Sequence, residues 1–481
     1  MEKIYVVEPK KLGKIAPEIY SVFAEHLGGV IYDGIYCGED SSAENINGFR
    51  KFIIDKMREA RIPLIRWPGG CFAETYDWRD GIGPRSERPV RINWWNQCDG
   101  RYEPNQIGTD EFIDFCRLCA AEPYIAANMT STTPLDIRDW IDYCNSPAGT
   151  TAYAALREKN GHKEPYNVKL WGVGNENWGG GGNMTPEYYA NEYRRYAEVM
   201  NNASAGLELI SCGPNGADYG WTQTLLSSLS HKRGPMAGMA VHYYCGSAGD
   251  TINFTDDEWD QLICQAAKMR EIIDRHWSTV VSYGMENQAK LCIDEWGCWH
   301  PGGTGPSKGA NLFEQQVTMR DAVVSALTLN IFNQNCDKIK LCATAQLVNN
   351  LHTLFLAHDA DCICTPNYHV FNMYKGHQGG DALEAFATDN DVTVSASEKD
   401  GALTLTAANL SCRRDIELDV TLYGKDFGSA DIVSLANDNL RAHNTFENPE
   451  AVAPTSAHID SFDGRIELAR GSVMAITVKL K

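Results

Sequence analysis

From residue 17 to residue 373 the chain alternates short, wholly apolar runs with longer amphipathic stretches, and this alternation restricts the fold more than any other feature of the sequence. Short apolar runs are strands covered on both faces, and the amphipathic stretches between them are the crossover helices. Eight runs fit, at 19–24, 62–67, 123–127, 168–173, 207–211, 238–242, 290–293 and 338–343. Eight strand-helix units in a segment of this length predict a (β/α)8 TIM barrel, with a doubly wound open sheet as the competing arrangement. Either way, function is expected just past the carboxyl ends of the strands.

Helix starts are legible between the runs. Thr185-Pro186-Glu187 offers an N-cap oxygen, a proline whose missing N–H costs nothing, and an acid at the positive helix end. Tyr189, Tyr193, Tyr196 and Met200 then mark one face. Thr109-Asp110-Glu111 opens another helix with Phe112, Cys116 and Cys119 on its buried side, and a long helix is expected over 312–332.

After about Asn372 the period changes to two. Val392-Thr393-Val394, Leu403-Thr404-Leu405, Ile416-Glu417-Leu418 and Ile476-Thr477-Val478 alternate apolar with polar residues, and Asp400-Gly401 reads as a tight hairpin turn. The expected organisation is a catalytic barrel over 16–372 and an antiparallel β-sandwich over 373–481. The run Lys3 to Glu8, within 1–15, reads as a further strand that can add an edge to either domain, and the sandwich is the favoured one. Two domains also suit a chain of 481 residues.

A formal net charge of −20 repels phosphate backbones and anionic membrane surfaces, so nucleic acid and membrane are poor partners while a neutral sugar is compatible. Met1-Glu2-Lys3-Ile4-Tyr5 has no basic patch followed by an apolar run, which leads us to expect a cytoplasmic protein. The 16 cysteines are scattered through a chain long enough to build a core without disulfides, so reduced, packed thiols are expected. Cys116/Cys119 and Cys362/Cys364 lack a second pair at zinc-finger spacing.

Two strand ends carry acids in similar surroundings. Leu170-Trp171-Gly172-Val173-Gly174-Asn175-Glu176-Asn177-Trp178 delivers Glu176 at the fourth strand, before four glycines. Cys292-Ile293-Asp294-Glu295-Trp296-Gly297-Cys298-Trp299-His300 delivers Glu295 at the seventh. Two carboxyl groups about 5 Å apart support displacement through a covalent glycosyl-enzyme, whereas about 6.5 to 9.5 Å leaves room for water and implies inversion. Sequence supplies the order of these residues and no distance. The bland reading of each glutamate is a surface acid or salt-bridge partner.

Asp294 is the rival to Glu295; because side chains alternate on a strand, it is expected to point elsewhere, into the barrel wall or against a helix end. Glu25, after the first strand, is placed to accept hydrogen bonds from sugar hydroxyls or to pair with Arg66. Cys71 is expected as a pocket wall, without the helix and histidine a nucleophile needs. Tyr244, in His242-Tyr243-Tyr244, is placed to hydrogen-bond the nucleophile, and Gln346 to meet a hydroxyl, with Asn349 beyond it. The aromatic loop 73–105 suits either sugar faces or an oligomer contact. Phosphate-loop, HExxH, EF-hand and GxSxG patterns do not occur, and two carboxylates need no catalytic metal or cofactor.

Taken together, Glu25-His26-Leu27-Gly28, Arg66-Trp67-Pro68-Gly69-Gly70-Cys71-Phe72-Ala73, Asp80-Gly81-Ile82-Gly83-Pro84-Arg85, Gly174-Asn175-Glu176-Asn177-Trp178-Gly179, Asp294-Glu295-Trp296 and Ala345-Gln346-Leu347-Val348-Asn349 resemble glycoside hydrolase family 51, the intracellular-type α-L-arabinofuranosidases. The resemblance covers nearly the whole chain. It implies a barrel followed by a β-sandwich and a retaining, exo-acting enzyme with Glu176 as acid/base and Glu295 as nucleophile. It also implies Asn175 on the sugar 2-hydroxyl, and Glu25, Cys71, Tyr244, Gln346 and Trp299 around the furanose. An arabinose-containing oligosaccharide is the implied partner, and a homo-oligomer, commonly a hexamer, the implied assembly. Leu341-Cys342-Ala343-Thr344-Ala345-Gln346 departs from the family's Met-Ala-Asn-Ile-Ala-Gln, and Asn128-Met129-Thr130-Ser131-Thr132 from its glycine-richer form. These departures touch linkage preference and tolerance of xylose-like sugars. A β-xylosidase or endo-glucanase-like glycosidase on the same barrel is the enzymatic alternative, and a carbohydrate-binding protein the other.

Overall fold

The computed structural model describes residues 2–230, 235–246 and 248–481. The chain opens with strand β1 (Glu2–Lys14) and then enters a closed parallel barrel. Among the described residues its eight strands run in chain order: β2 (Ser21–Phe23), β3 (Leu64–Trp67), β4 (Glu122–Ala127), β5 (Leu170–Val173), β6 (Glu208–Ser211), β7 (Gly238–Gly246), β8 (Lys290–Trp299) and β9 (Ile339–Ala345), which pairs back onto β2. Their apolar runs make sense here, because the barrel fills one face and the helix layer covers the other. Leu64, Tyr124, Leu170, Ile210, Ala240, Cys292 and Leu341, one residue from each of seven strands, form an interior layer. Phe23, Ala343 and Ala345, with Tyr244 against them, form another nearer the carboxyl ends.

The first run begins differently from expectation, since Pro17–Tyr20 is a 3-10 turn and only Ser21–Phe23 joins the sheet. The seventh strand is longer than its apolar run, continuing through Glu295 to Trp299. Its pairing with β7 slips between Ala240 and His242, and its pairing with β9 slips between Ile293 and Trp296.

Helix α1 (Thr109–Cys119) buries Phe112, Cys116 and Cys119, and α2 (Pro186–Asn201) buries Tyr189, Tyr193, Tyr196 and Met200, with the Thr185 hydroxyl accepting from the Tyr188 N–H. The long helix expected over 312–332 is instead α3 (Met319–Gln334). Thr318 and Asp321 set that start: the Asp321 carboxylate accepts from the Thr318 N–H at 2.8 Å and from its hydroxyl at 3.0 Å. Phe313, upstream, has φ 57°, outside the helical region. α3 is buried nearly all round because it lies between the barrel and the C-terminal sheet, where Asn330 and Asn333 meet Ser395.

The C-terminal strands are β10 (Asp381–Ala387), β11 (Val392–Lys399), β12 (Ala402–Asn409), β13 (Ile416–Tyr423), β14 (Phe427–Leu435), β15 (Thr455–Ile459), β16 (Arg465–Leu468) and β17 (Val473–Leu480). With β1 they form one sheet in the order β15-β14-β17-β12-β11-β10-β1-β13-β16, curled over a single apolar core that includes Ile4, Leu405, Leu418 and Ile476. β1 runs antiparallel to β10 and parallel to β13. Asp400 and Gly401, at φ 52° and 78°, make the two-residue turn between β11 and β12. Among the described residues no helix is long and apolar enough to cross a membrane.

Candidate active site

Glu176 follows β5 with φ 43°, a left-handed conformation that is uncommon for a glutamate. The loop that holds it there is tied from beneath by Glu74. The Glu74 carboxylate is fully buried and accepts from the backbone N–H groups of Asn175, Met129 and Thr130 and from the Asn177 amide. Sequence reasoning passed over Glu74, which sits in a short 3-10 turn with no periodic signal around it.

His242, on β7, joins the two proposed catalytic acids. Its Nδ1 is 2.9 Å from Glu176 Oε1 and 3.4 Å from Glu295 Oε2, and its Nε2 is 3.2 Å from Asp294 Oδ1. One oxygen each of Glu176 and Glu295, together with a nitrogen of His242, lie within 4.8 Å of one another. Both imidazole nitrogens therefore face carboxylates. Burial opposes charge on the ring, but the carboxylates of Glu295, Asp294 and Glu176 outweigh it and hold the His242 pKa up at about 10.

Glu295 is fixed by two further donors. Arg66 Nη1 donates to its Oε1 at 2.8 Å, and the Tyr244 hydroxyl donates to its Oε2 at 2.8 Å. Burial pushes the Glu295 pKa up, the cations of His242 and Arg66 pull it down, and the neighbouring Glu176 adds to the upward push. Gly70 lets the two carboxylates pack close to the backbone, since a Cβ there would lie 3.1 Å from Glu295 Oε1 and 3.2 Å from Glu25 Oε2 and would press on both.

Asp294 does not point away from Glu295 as simple alternation predicts. It turns into the same interior, accepting from Tyr124 at 2.8 Å and lying 3.4 Å from Arg66 Nε. The register slip between Ile293 and Trp296 breaks the two-residue period at this point. Arg66 thus ties both acids to β3, and its Nη2 donates to Asn175 Oδ1 at 2.6 Å.

The remaining residues line one small pocket with Glu176 and Glu295: Glu25, Cys71, Tyr244, Trp299 and Gln346, together with Phe23, Trp95 and Phe313. Glu25 accepts from the Phe72 N–H at 3.0 Å and from the Trp95 indole at 2.9 Å, and its own N–H donates to Gln346 Oε1 at 3.0 Å. It has hydrogen-bond partners in place of the Arg66 salt bridge. Cys71 Sγ lies 3.8 Å from Glu176 Oε2, and burial together with the surrounding carboxylates pushes its thiol pKa above the ordinary range. Asn175 is buried, and its amide nitrogen has no partner among the described residues. Trp299, 38 % exposed, stacks edge-on against Tyr244 and Phe313 at the pocket's rim. Asn349 lies outside the pocket, its amide donating to Gly29 and Ala357 carbonyls.

Two adjacent carboxylates at the carboxyl ends of parallel barrel strands, in a pocket walled by aromatics, define a barrel glycoside hydrolase. Comparison with known proteins narrows the class. Residues 56–261 match the family model described as the α-L-arabinofuranosidase 1 domain, and residues 294–472 the model of the α-L-arabinofuranosidase C-terminal domain. An intracellular exo-α-L-arabinofuranosidase of Bacteroides ovatus is 35% identical over 458 residues, covering 92% of this chain and 88% of the relative. The crystal structure of the family 51 arabinofuranosidase from Xanthomonas axonopodis pv. citri superposes with a TM-score of 0.93 at 31% identity, covering 99% of this chain and all of that one. The α-L-arabinofuranosidase from Thermotoga maritima, solved as an arabinose complex, gives 0.86 at 30% identity over 100% of both chains. The chain belongs to the α-L-arabinofuranosidases of glycoside hydrolase family 51.

Proposed function

We propose that this chain removes terminal, non-reducing α-L-arabinofuranosyl groups from neutral oligosaccharides by double displacement, with Glu295 as nucleophile and Glu176 as general acid/base. The observation that carries the reading is the approach of the two carboxylates, whose nearest oxygens lie within 4.8 Å. That spacing leaves too little room for a water between Glu295 and the anomeric carbon, and it favours direct attack.

In this mechanism Glu295 attacks C1 while Glu176 gives its proton to the departing oxygen. Glu176 then takes a proton from water, which attacks C1 and frees Glu295. Arg66, Tyr244 and His242 surround Glu295 with donors, so its charge is met before attack and the arrangement needs little reorganisation. Asn175 offers a free amide to a sugar hydroxyl; Glu25 and Gln346 offer acceptors, and Cys71 and Trp299 close the pocket. The wall formed by so many side chains suits a single terminal residue, which supports exo action.

Residues 16–372 are read as the catalytic unit, and 373–481 with the first fifteen residues as its companion. Arabino- or arabinoxylo-oligosaccharides in the cytoplasm are the proposed substrates, and a homo-oligomer, as a hexamer, the proposed assembly. The test is product analysis on branched and linear arabino-oligosaccharides by proton NMR at early times. Free arabinose of the substrate's own anomeric configuration is expected; the opposite anomer, or longer fragments as first products, overturns the mechanism or the exo mode respectively.

A further inference from the structure

Three residues past Glu295 on β8, the Cys298 thiol meets the first turn of α3 and the loop after β9. Cys298, Asp321 and His352 are buried, and their sulfur, a carboxylate oxygen and a ring nitrogen lie within 4.8 Å of one another. Gly297 admits the histidine, since a Cβ there would sit 2.4 Å from His352 Cβ.

The hydrogen bonds around His352 determine where its proton sits. The Asn367 amide donates to the His352 carbonyl at 3.3 Å, which leaves Asn367 Oδ1 to accept the Ser325 hydroxyl at 3.0 Å. Ser325 Oγ must then accept from His352 Nε2–H, at 2.7 Å. Nδ1 is consequently the deprotonated nitrogen, and it is buried with no partner among the described residues. Burial also keeps the ring neutral, with its pKa lowered to about 4. A neutral imidazole with one N–H held and one lone pair open is the form in which histidine binds a metal. The Asp321 carboxylate is oriented in the same manner, by Thr318 and by His300 Nε2 at 2.9 Å.

We propose that Cys298, Asp321 and His352 form a buried binding site for one zinc-class divalent ion. Thiolate, carboxylate and imidazole suit Zn2+ and are a poor set for Mg2+ or Ca2+, which take oxygen ligands. On binding, the S–H bond of Cys298 is replaced by an S–Zn bond and its proton leaves to solvent. Thiolate and carboxylate then cancel the charge of the ion, so the ion and its ligands together are neutral. Ligands about 2.0 to 2.3 Å from a tetrahedral ion sit roughly 3.4 to 3.7 Å apart, so loading draws the cluster in by little more than about 1 Å. A water completes the shell. The ion would fasten the end of β8, with Glu295 and Trp299 on it, to α3 and to the loop that follows Gln346.

The purified full chain, stripped with a chelator, reloaded with zinc chloride and desalted, is assayed for bound metal by mass spectrometry. Retention of about one zinc per chain is expected for the wild type, falling below roughly a tenth in Cys298→Ser and His352→Ala, with magnesium retained by none. Because either variant is able to fail in folding, cobalt(II) titration of the wild type is the second measurement, and a thiolate-to-cobalt charge-transfer band in the near ultraviolet is expected. Wild-type chain that keeps less than roughly a tenth of an equivalent of zinc, a cobalt complex without that band, or zinc retained undiminished in Cys298→Ser overturns the proposal.

Discussion

His242 stands between Asp294 and Glu176, with Nε2 3.2 Å from one carboxylate and Nδ1 2.9 Å from the other. With a carboxylate facing each nitrogen, the ring is held as imidazolium through neutral pH, its pKa held near 10 against burial by three acids. It acts as a positioning residue, aiming Glu176 and offsetting the negative charge that Glu176, Asp294 and Glu295 would otherwise concentrate. Replacement by Asn is expected to lower kcat on the order of 10²-fold with little change in KM, and to shift the pH profile, because Glu176 and Glu295 lose their shared cation. A merely structural role would leave the profile of the residual activity unmoved.

Glu295→Ala removes the proposed nucleophile, and turnover is expected to fall by about 10⁶-fold, the scale on which loss of a covalent nucleophile is felt. Added azide fits the space the side chain leaves and attacks from the same face, so the inverted glycosyl azide should accumulate. Wild-type turnover in this variant, or azide product of unchanged configuration, contradicts the assignment.

For Glu176→Ala the loss depends on the leaving group. Substrates with poor leaving groups should slow on the order of 10² to 10⁴-fold, while activated aryl arabinofuranosides are affected far less in the glycosylation step. Equal loss across a leaving-group series speaks against a role in protonation.

Glu25 couples binding to stability. Burial, aided by Glu295, raises its pKa from 4.5 to about 7, although the Phe72 N–H and the Trp95 indole oppose the rise. Its folded value lies above its unfolded one, so between about pH 4.5 and 7 the unfolded chain releases the proton first. Stability therefore falls as pH rises through that window, and the loss is complete above it. Glu25→Gln should raise Tm by about 1 to 3 °C at pH 8 and leave it unchanged near pH 4. The same change should lower kcat/KM about 10- to 100-fold, as expected for losing a charge-assisted hydrogen bond of about 1.5 to 3 kcal/mol. A Tm difference independent of pH argues against ionised Glu25 as the cause.

The barrel was legible because each strand is apolar through and through, and Glu176 and Glu295 because acids amid Trp, Asn and Gly end two of those runs. Asp294 was misread, since a register slip beside it cancels the two-residue alternation on which the reading depended. His242 was in view but unassigned: its partners Glu176 and Asp294 come from other strands, and no spacing within the chain announces them. The start of α3 was misplaced although Thr318 and Asp321, a capping pair, mark it openly; the apolar residues Leu312 and Phe313 extended the helical pattern backwards into a loop. The Cys298, Asp321 and His352 grouping could not be read at all, because three separate elements converge to make it.

The placement of β1 bears on how the chain is made. It pairs with β10 and β13, strands that leave the ribosome only after the entire barrel has been synthesised. Until then β1 is an unmatched strand with open backbone donors and acceptors, attached directly to the start of the barrel. Its capture is a late event in biogenesis, so chains stalled before β13 should be the ones most prone to stick to each other and most in need of a chaperone.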